Sequence, residues 1–268
     1  LFIEVSHGPT LVDHNLMLSD RSLKLATQGV ALVHNLICGS LVSVGIGTDN
    51  GAPIIPSPRY TPYHVHHGTQ IAGFMTILHG DMKFYNNIFI QKKIRSCMKA
   101  LSELMGSDGN MWDNCNMITG TSPYDEYPTF EQWKKNFEGY CGMGSDVGDL
   151  YYEHLPVWAS GNCYFNGARP WKKESDAISD TENTVSISLE QKDGGWYLHT
   201  NLYDFLPENA DGIISTETLG IAFEPEQKYE NPDGSPIIFN QDFSGEHRDV
   251  LTCAGPFINK ESASRKLF

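Results

Sequence analysis

Two clusters of this 268-residue chain have the residue types and spacing to do chemistry. The first is Phe2-Ile3-Glu4-Val5-Ser6-His7-Gly8-Pro9, a carboxylate inside an apolar, strand-like run, followed at once by a histidine and a turn. Apolar surroundings disfavour the charged form of a carboxyl, and a carboxyl that holds its proton near neutral pH is what general acid catalysis needs. The alternative is a strand-edge glutamate pointing at water, a common pattern in half-buried strands. The second cluster is His64-Val65-His66-His67. In a strand His64 and His66 would point the same way, which suits chelation. The continuation carries Gln70 rather than a glutamate and the chain has no H-E-x-x-H, so neutral, hydrogen-bonding histidines in a polar cleft are the preferred reading. No metal and no cofactor is called for. There is no G-x-S-x-G elbow, and Gly45-Ile46-Gly47 lacks the rest of a dinucleotide fingerprint.

These residues need a scaffold, and three segments repeat one local pattern: Leu11 to Leu18, Ala31 to Cys38, and Lys83 to Ile90. Each is a short apolar strand, an asparagine, and a second short apolar strand. Asparagine suits a sharp bend because it tolerates the left-handed region and its amide satisfies local backbone groups. Stacked in successive coils, Asn15, Asn35 and Asn87 could form a hydrogen-bonded ladder, with Asn162 as a weaker fourth copy. The spacing from Asn15 to Asn35 fits one coil, and the gap from Asn35 to Asn87 is read as two coils plus a loop. The pattern predicts an all-β fold, a parallel β-helix; an ordinary sandwich with asparagine turns is the alternative.

Other segments decorate that scaffold. A Pro- and His-rich excursion between Asn50 and Gly68 cannot be a regular core strand and reads as a loop, a usual place for a site. Lys92 to Met105 has a helical pattern, and Thr129-Phe130-Glu131-Gln132 reads as a capping box opening a short helix. Composition shifts after Trp171, so the expected division is 1–171, coils with inserted loops and short helices, and 172–268, a C-terminal β-rich extension packed on them. Lys172 to Asn183 reads as a polar linker, Val185 to Leu198 as a hairpin turning at Lys192 to Gly195, and Asn231 to Pro236 as a further turn.

Composition narrows the partners. A net charge of −14 without long basic runs would repel a phosphate backbone or an anionic membrane, so neither nucleic acid nor membrane is expected. Five Trp and 12 Tyr suit a neutral ligand with faces to stack on, such as a sugar, although buried aromatics give the same count. Six cysteines without a C-x-x-C pair read as mostly buried free thiols, which favours a reducing, cytoplasmic compartment.

Phe2 to Pro9, Thr27-Gln28-Gly29, Arg59 to His64, and Gly73-Phe74-Met75-Thr76-Ile77-Leu78-His79-Gly80 running into Phe84-Tyr85-Asn86-Asn87 resemble glycoside hydrolase family 120, and the similarity continues through Asn231 to Gly234 and Gly255-Pro256-Phe257. That family comprises β-xylosidases on a right-handed parallel β-helix. The resemblance implies a retaining mechanism in which an aspartate attacks the anomeric carbon and a glutamate serves as acid and base, releasing xylose from xylo-oligosaccharides. Glu4 matches the acid/base. His7, Arg59, Tyr60, His64 and His66 are the candidate substrate-binding residues. The resemblance implies a nucleophilic aspartate and an inserted immunoglobulin-like domain upstream of Leu1, since neither Asp13 nor Asp20 has the nucleophile's context. The isolated chain is therefore expected to be inactive, with a missing N-terminal part or a homo-oligomer as partner. A non-catalytic carbohydrate-binding or structural β-helix is the alternative. A polysaccharide lyase, which would want calcium ligands and a cationic base, is disfavoured by the acidic balance.

Overall fold

A computed structural model describes residues 1–43, 60–97, 99–100, 117–139, 153–207, 212–249, 253–258 and 264–268. Residues 98 and 101–105 of the helical pattern expected from Lys92 to Met105 lie outside them, as does Arg59.

Short apolar strands alternate their side chains between two faces, and here three groups of such strands pair in parallel. The first sheet holds Phe2–Glu4, Arg21–Ala26 and Ser40–Ser43. The second holds Thr10–Asp13, Gln28–Val33, Gly80–Tyr85 and Val157–Ser160, and the third holds Leu16–Met17, Leu36–Ile37, Ile88–Ile90, Cys163–Phe165 and Ile178–Asp180. As far as Ile88–Ile90 the described chain visits first, second and third sheet in rotation, so each of these strands pairs with its counterpart in the neighbouring circuit. Val157–Ser160 and Cys163–Phe165 then extend the second and third sheets, and Ile178–Asp180 extends the third. Gly80–Tyr85 pairs directly with Gln28–Val33. The stretch between Asn35 and Asn87 is therefore one circuit widened by an excursion, not two circuits.

Alternation sorts the apolar residues into an interior and two outer layers. Leu23, Leu25, Val30, Leu32, Ile37, Met82, Phe84, Phe89 and Tyr164 point inward and form one buried core. Ala31, Val33 and Tyr85 point outward from the second sheet under Ile214, Leu219, Tyr229 and Phe239. Leu36, Ile88, Ile90 and Phe165 point outward from the third sheet under Val185, Leu198, Leu202 and Phe257. The C-terminal segments thus cover the second and third sheets. On the first sheet Phe2 and Glu4 are exposed, with the Lys24 ammonium 5.3 Å from the Phe2 ring centroid.

The asparagines form the expected ladder. Asn35 Oδ1 accepts from the Asn15 backbone N–H at 2.9 Å and side-chain amide at 3.1 Å. Asn87 Oδ1 serves Asn35 at 3.0 and 2.9 Å, and Asn162 Oδ1 serves Asn87 at 2.9 and 3.0 Å. The bend itself belongs to the preceding residue: His14, His34, Asn86 and Gly161 have φ between 51° and 65°. Tight turning and amide pairing are thus divided between two neighbouring residues.

Glu174 ends the ladder, accepting from Asn162 Nδ2 at 2.8 Å and from the Tyr164 hydroxyl at 2.6 Å. It lies within what reads as a polar linker, which also carries the strand Ile178–Asp180. Burial pushes the Glu174 carboxyl up to about 7. A carboxyl that ionises at higher pH when folded holds its proton in the folded state while the unfolded chain releases it. Its contribution is present below about 4.5 and is lost as pH rises through about 7. Glu174→Gln keeps an acceptor for Asn162 and removes the titration. It should stabilise the fold at pH 8 by up to about 3 kcal/mol and have little effect at pH 4, as read from urea midpoints at the two pH values.

Several local signals match the structure. Thr129 and Gln132 form both bonds of a capping box on the helix Phe130–Lys135. Ile187–Lys192 and Gly195–Thr200 pair as an antiparallel hairpin, with Asp193 and Gly194 at φ 51° and 76°. Cys38, Cys163 and Cys253 are buried free thiols, whereas Cys97 is free and exposed. Among the described residues no helix is long and apolar enough to cross a membrane. The excursion expected as a loop instead contains an antiparallel hairpin, Tyr60–His64 with Ile71–Thr76. Pro62 is tolerated there because a two-stranded ribbon leaves outer-edge groups that need no ladder donor.

Candidate functional site

The corner between the first and second sheets is built by stacking one circuit on the next, residue for residue. Thr27 Oγ1 donates to the Ser6 carbonyl at 2.7 Å, and the Ser6 N–H donates back to it at 3.2 Å. Gln28 meets His7, and Gly29 meets Gly8. A β-carbon on Gly8 would lie 2.3 Å from the Gly29 carbonyl oxygen, so neither position admits a side chain without moving backbone.

His7 fastens the hairpin to this corner. Gln28 Oε1 accepts from the Leu78 backbone N–H at 2.7 Å, which fixes the amide so that its Nε2 donates to His7 Nδ1 at 3.1 Å. The ring is therefore the neutral tautomer with its proton on Nε2, facing the Thr61 hydroxyl at 2.8 Å and carbonyl at 3.2 Å. Burial, only partly offset by backbone hydrogen bonds, lowers the His7 pKa and keeps the ring neutral. With both nitrogens engaged, His7 positions the hairpin, whose Tyr63 ring packs edge-on at 5.9 Å.

The hairpin, the corner and the C-terminal segment enclose a cleft of about 630 Å³. Val5, Ser6 and His7 form one wall, Tyr63, His64 and His66 a second, and Gln227, Lys228 and Glu230 a third. Of the residues expected to bind substrate, His7, His64 and His66 line it. Tyr60 is 61% exposed and is not part of the lining.

Glu4 ends the strand Phe2–Glu4, one residue from the cleft wall at Val5. Its apolar neighbours in sequence are not its surroundings in space. Alternation turns Ile3 towards the core and leaves Glu4 exposed on the outer face, so the expected apolar setting is not formed. Across the sheet Glu4 stands opposite Ala26, and among the described residues its strand is paired along one edge only. Val5 follows at φ 52°, an unfavourable conformation for a β-branched residue that turns the chain sharply into the cleft.

The histidine cluster is organised differently from the expected pair. His66 and His67, rather than His64 and His66, converge on one carboxylate, with Nε2 atoms 2.7 and 3.0 Å from Glu230 Oε1. Sequence reading did not single out Glu230 or Gln227. Glu230 lies 163 residues from His67, and no local pattern links the two. The expectation that no metal is needed was drawn from Gln70 in place of a glutamate and from the absence of H-E-x-x-H; the carboxylate that meets His66 and His67 lies in this distant segment.

No family model matches the chain, and no curated protein matches it. Among solved structures, one described as the complex of XylC with xylose is similar, with a TM-score of 0.78 and 29% sequence identity. The match covers 100% of this chain and 37% of that chain, so this chain spans well under half the length of the protein it resembles. Over its whole length, the chain is thus similar in fold and sequence to part of a protein solved with xylose bound.

Proposed function

We propose that this chain carries the acid/base half of a retaining glycoside hydrolase of β-xylosidase type, of glycoside hydrolase family 120, acting on small xylo-oligosaccharides. In this reading the three parallel sheets wind as a right-handed parallel β-helix, and the cleft beside Glu4 receives the terminal sugar. The observation that carries the reading is Glu4, an exposed carboxylate that ends its strand next to the cleft, in a chain similar throughout to one solved with xylose.

Retention requires two carboxylates about 5–5.5 Å apart, whereas inversion leaves about 6.5–9.5 Å for a water. Neighbouring parallel strands lie about 4.8 Å apart, so a carboxylate at the same level on an adjacent strand meets the retaining requirement. The paired strand offers Ala26, and we assign the second carboxylate, an aspartate, to a strand along the other edge. That aspartate attacks the anomeric carbon as the glycosidic C–O bond breaks, and Glu4 gives its proton to the departing oxygen. Glu4 then takes a proton from water, which attacks the same carbon, breaks its bond to the aspartate and releases xylose with its configuration kept, the aspartate leaving as a carboxylate. His7 holds the hairpin wall, and His64 and His66 present polar ring atoms to the cleft.

Proton NMR of the anomeric region during xylobiose hydrolysis by the full polypeptide tests the reading. β-Xylose should form first and then mutarotate. α-Xylose first, an unsaturated product, or sugar binding without hydrolysis would each overturn it, the last in favour of a non-catalytic carbohydrate-binding protein.

A further inference from the structure

His66 and His67 are adjacent in sequence, yet their rings lie side by side with centroids 4.1 Å apart. Extended backbone would send successive side chains to opposite sides. His67 instead adopts φ 52°, a left-handed conformation that carries a cost for a residue with a β-carbon, and this brings both rings to one side. The oxygen they share belongs to Glu230, whose side chain is 9% exposed and whose backbone is bridged to Pro236 across the turn. Gln227 Nε2 also donates to the His64 carbonyl at 2.7 Å, so the same two segments are fastened at a second point. The three ligand-capable atoms fall within 4.8 Å of one another, and all three residues line the cleft.

We propose that His66, His67 and Glu230 form a binding site for a divalent transition-metal ion of the zinc type at the mouth of the cleft. Two imidazoles and one carboxylate are a donor set that Zn²⁺ accepts at about 2.0–2.2 Å, with a fourth position left for water or another ligand. Tetrahedral geometry at those lengths puts the donor atoms about 3.4 Å apart, so side-chain rotation has to open the 2.7 and 3.0 Å separations from Glu230 and bring all three atoms, now within 4.8 Å of one another, to that distance. Imidazole nitrogen selects zinc, nickel or copper over magnesium and calcium, which prefer all-oxygen shells. Without the ion each Nε2–H donates to Glu230 Oε1. With it the ring protons move to Nδ1 and the Nε2 lone pairs face the metal, so neutral rings release no net proton. The ion would tie the hairpin to the C-terminal segment and stiffen one wall of the cleft. This inference does not depend on the glycosidase reading.

The test uses the full chain, stripped with EDTA and desalted, then titrated with ZnCl₂ by calorimetry and with CoCl₂ by visible absorption, with MgCl₂ as control. The expected result is one saturable equivalent of Zn²⁺ and Co²⁺ and no comparable Mg²⁺ binding. His66→Gln and His67→Gln keep an amide donor towards Glu230, so the hairpin stays fastened while a metal ligand is lost; each should weaken Zn²⁺ binding at least tenfold. Matching circular dichroism of the metal-free proteins establishes that the variants fold. Absence of saturable binding to the wild type, or binding unchanged in both variants, would overturn the proposal and leave the cluster a hydrogen-bonded brace.

Discussion

Glu4→Gln in the full polypeptide should lower turnover of xylobiose about 10²–10⁴-fold, the usual contribution of a positioned general acid. The size follows from the leaving group: a sugar hydroxyl departs poorly as an alkoxide and needs a proton as the C–O bond breaks. A dinitrophenyl β-xyloside, whose phenolate leaves unaided, should lose much less in the bond-breaking step. Its glycosyl-enzyme should then accumulate, because no base remains to activate water. Steady-state kinetics on the two substrates separate this behaviour from a folding defect, which would lower both equally. Glu4 is exposed at the end of its strand, so exchanging a carboxylate for an amide of the same shape should leave the melting temperature within a few degrees of wild type.

Asn87→Ala should be among the most destabilising single changes in the scaffold, at about 2–5 kcal/mol. Asn87 is fully buried. Its amide donates to the Leu32 carbonyl at 2.8 Å and to Asn162 Oδ1 at 3.0 Å, while its Oδ1 takes the Asn35 backbone N–H and side-chain amide. Alanine leaves several of these groups without partners in a dry interior, and each unsatisfied buried group costs about 1–3 kcal/mol. Asn87→Asp should be worse, because a carboxylate oxygen would face two acceptors where the amide now donates. Urea denaturation followed by circular dichroism measures both. Asn15→Ala, at the exposed end of the ladder, is the internal control and should cost far less.

What was legible in the sequence was what the chain specifies locally. The ladder announced itself because each circuit must place an asparagine at the same bend, and Thr129 with Gln132 satisfies helix-end donors three residues apart. The widened circuit between Asn35 and Asn87 was misjudged because residue spacing cannot separate a second coil from a hairpin growing out of one. Glu174 and the strand Ile178–Asp180 were hidden in polar sequence, since a ladder end needs a carboxylate acceptor and not an apolar residue. Glu4 drew attention through its apolar flanks, a reason the structure removes: strand alternation sends Phe2 and Glu4 outward together while Ile3 packs inward. Glu230 could not be paired with His66 and His67 because only tertiary folding closes a gap of that length.

The proposed mechanism requires Glu4 to act as acid and base beside a second carboxylate. The most direct measurement is azide rescue of Glu4→Ala in the full polypeptide with dinitrophenyl β-xyloside as substrate. Azide needs no general base and is small enough to enter the space left by the missing side chain. Azide should restore turnover, and the product isolated should be β-xylosyl azide. Unimpaired activity of Glu4→Ala without azide, or an inactive variant that azide neither revives nor converts to that product, would contradict it.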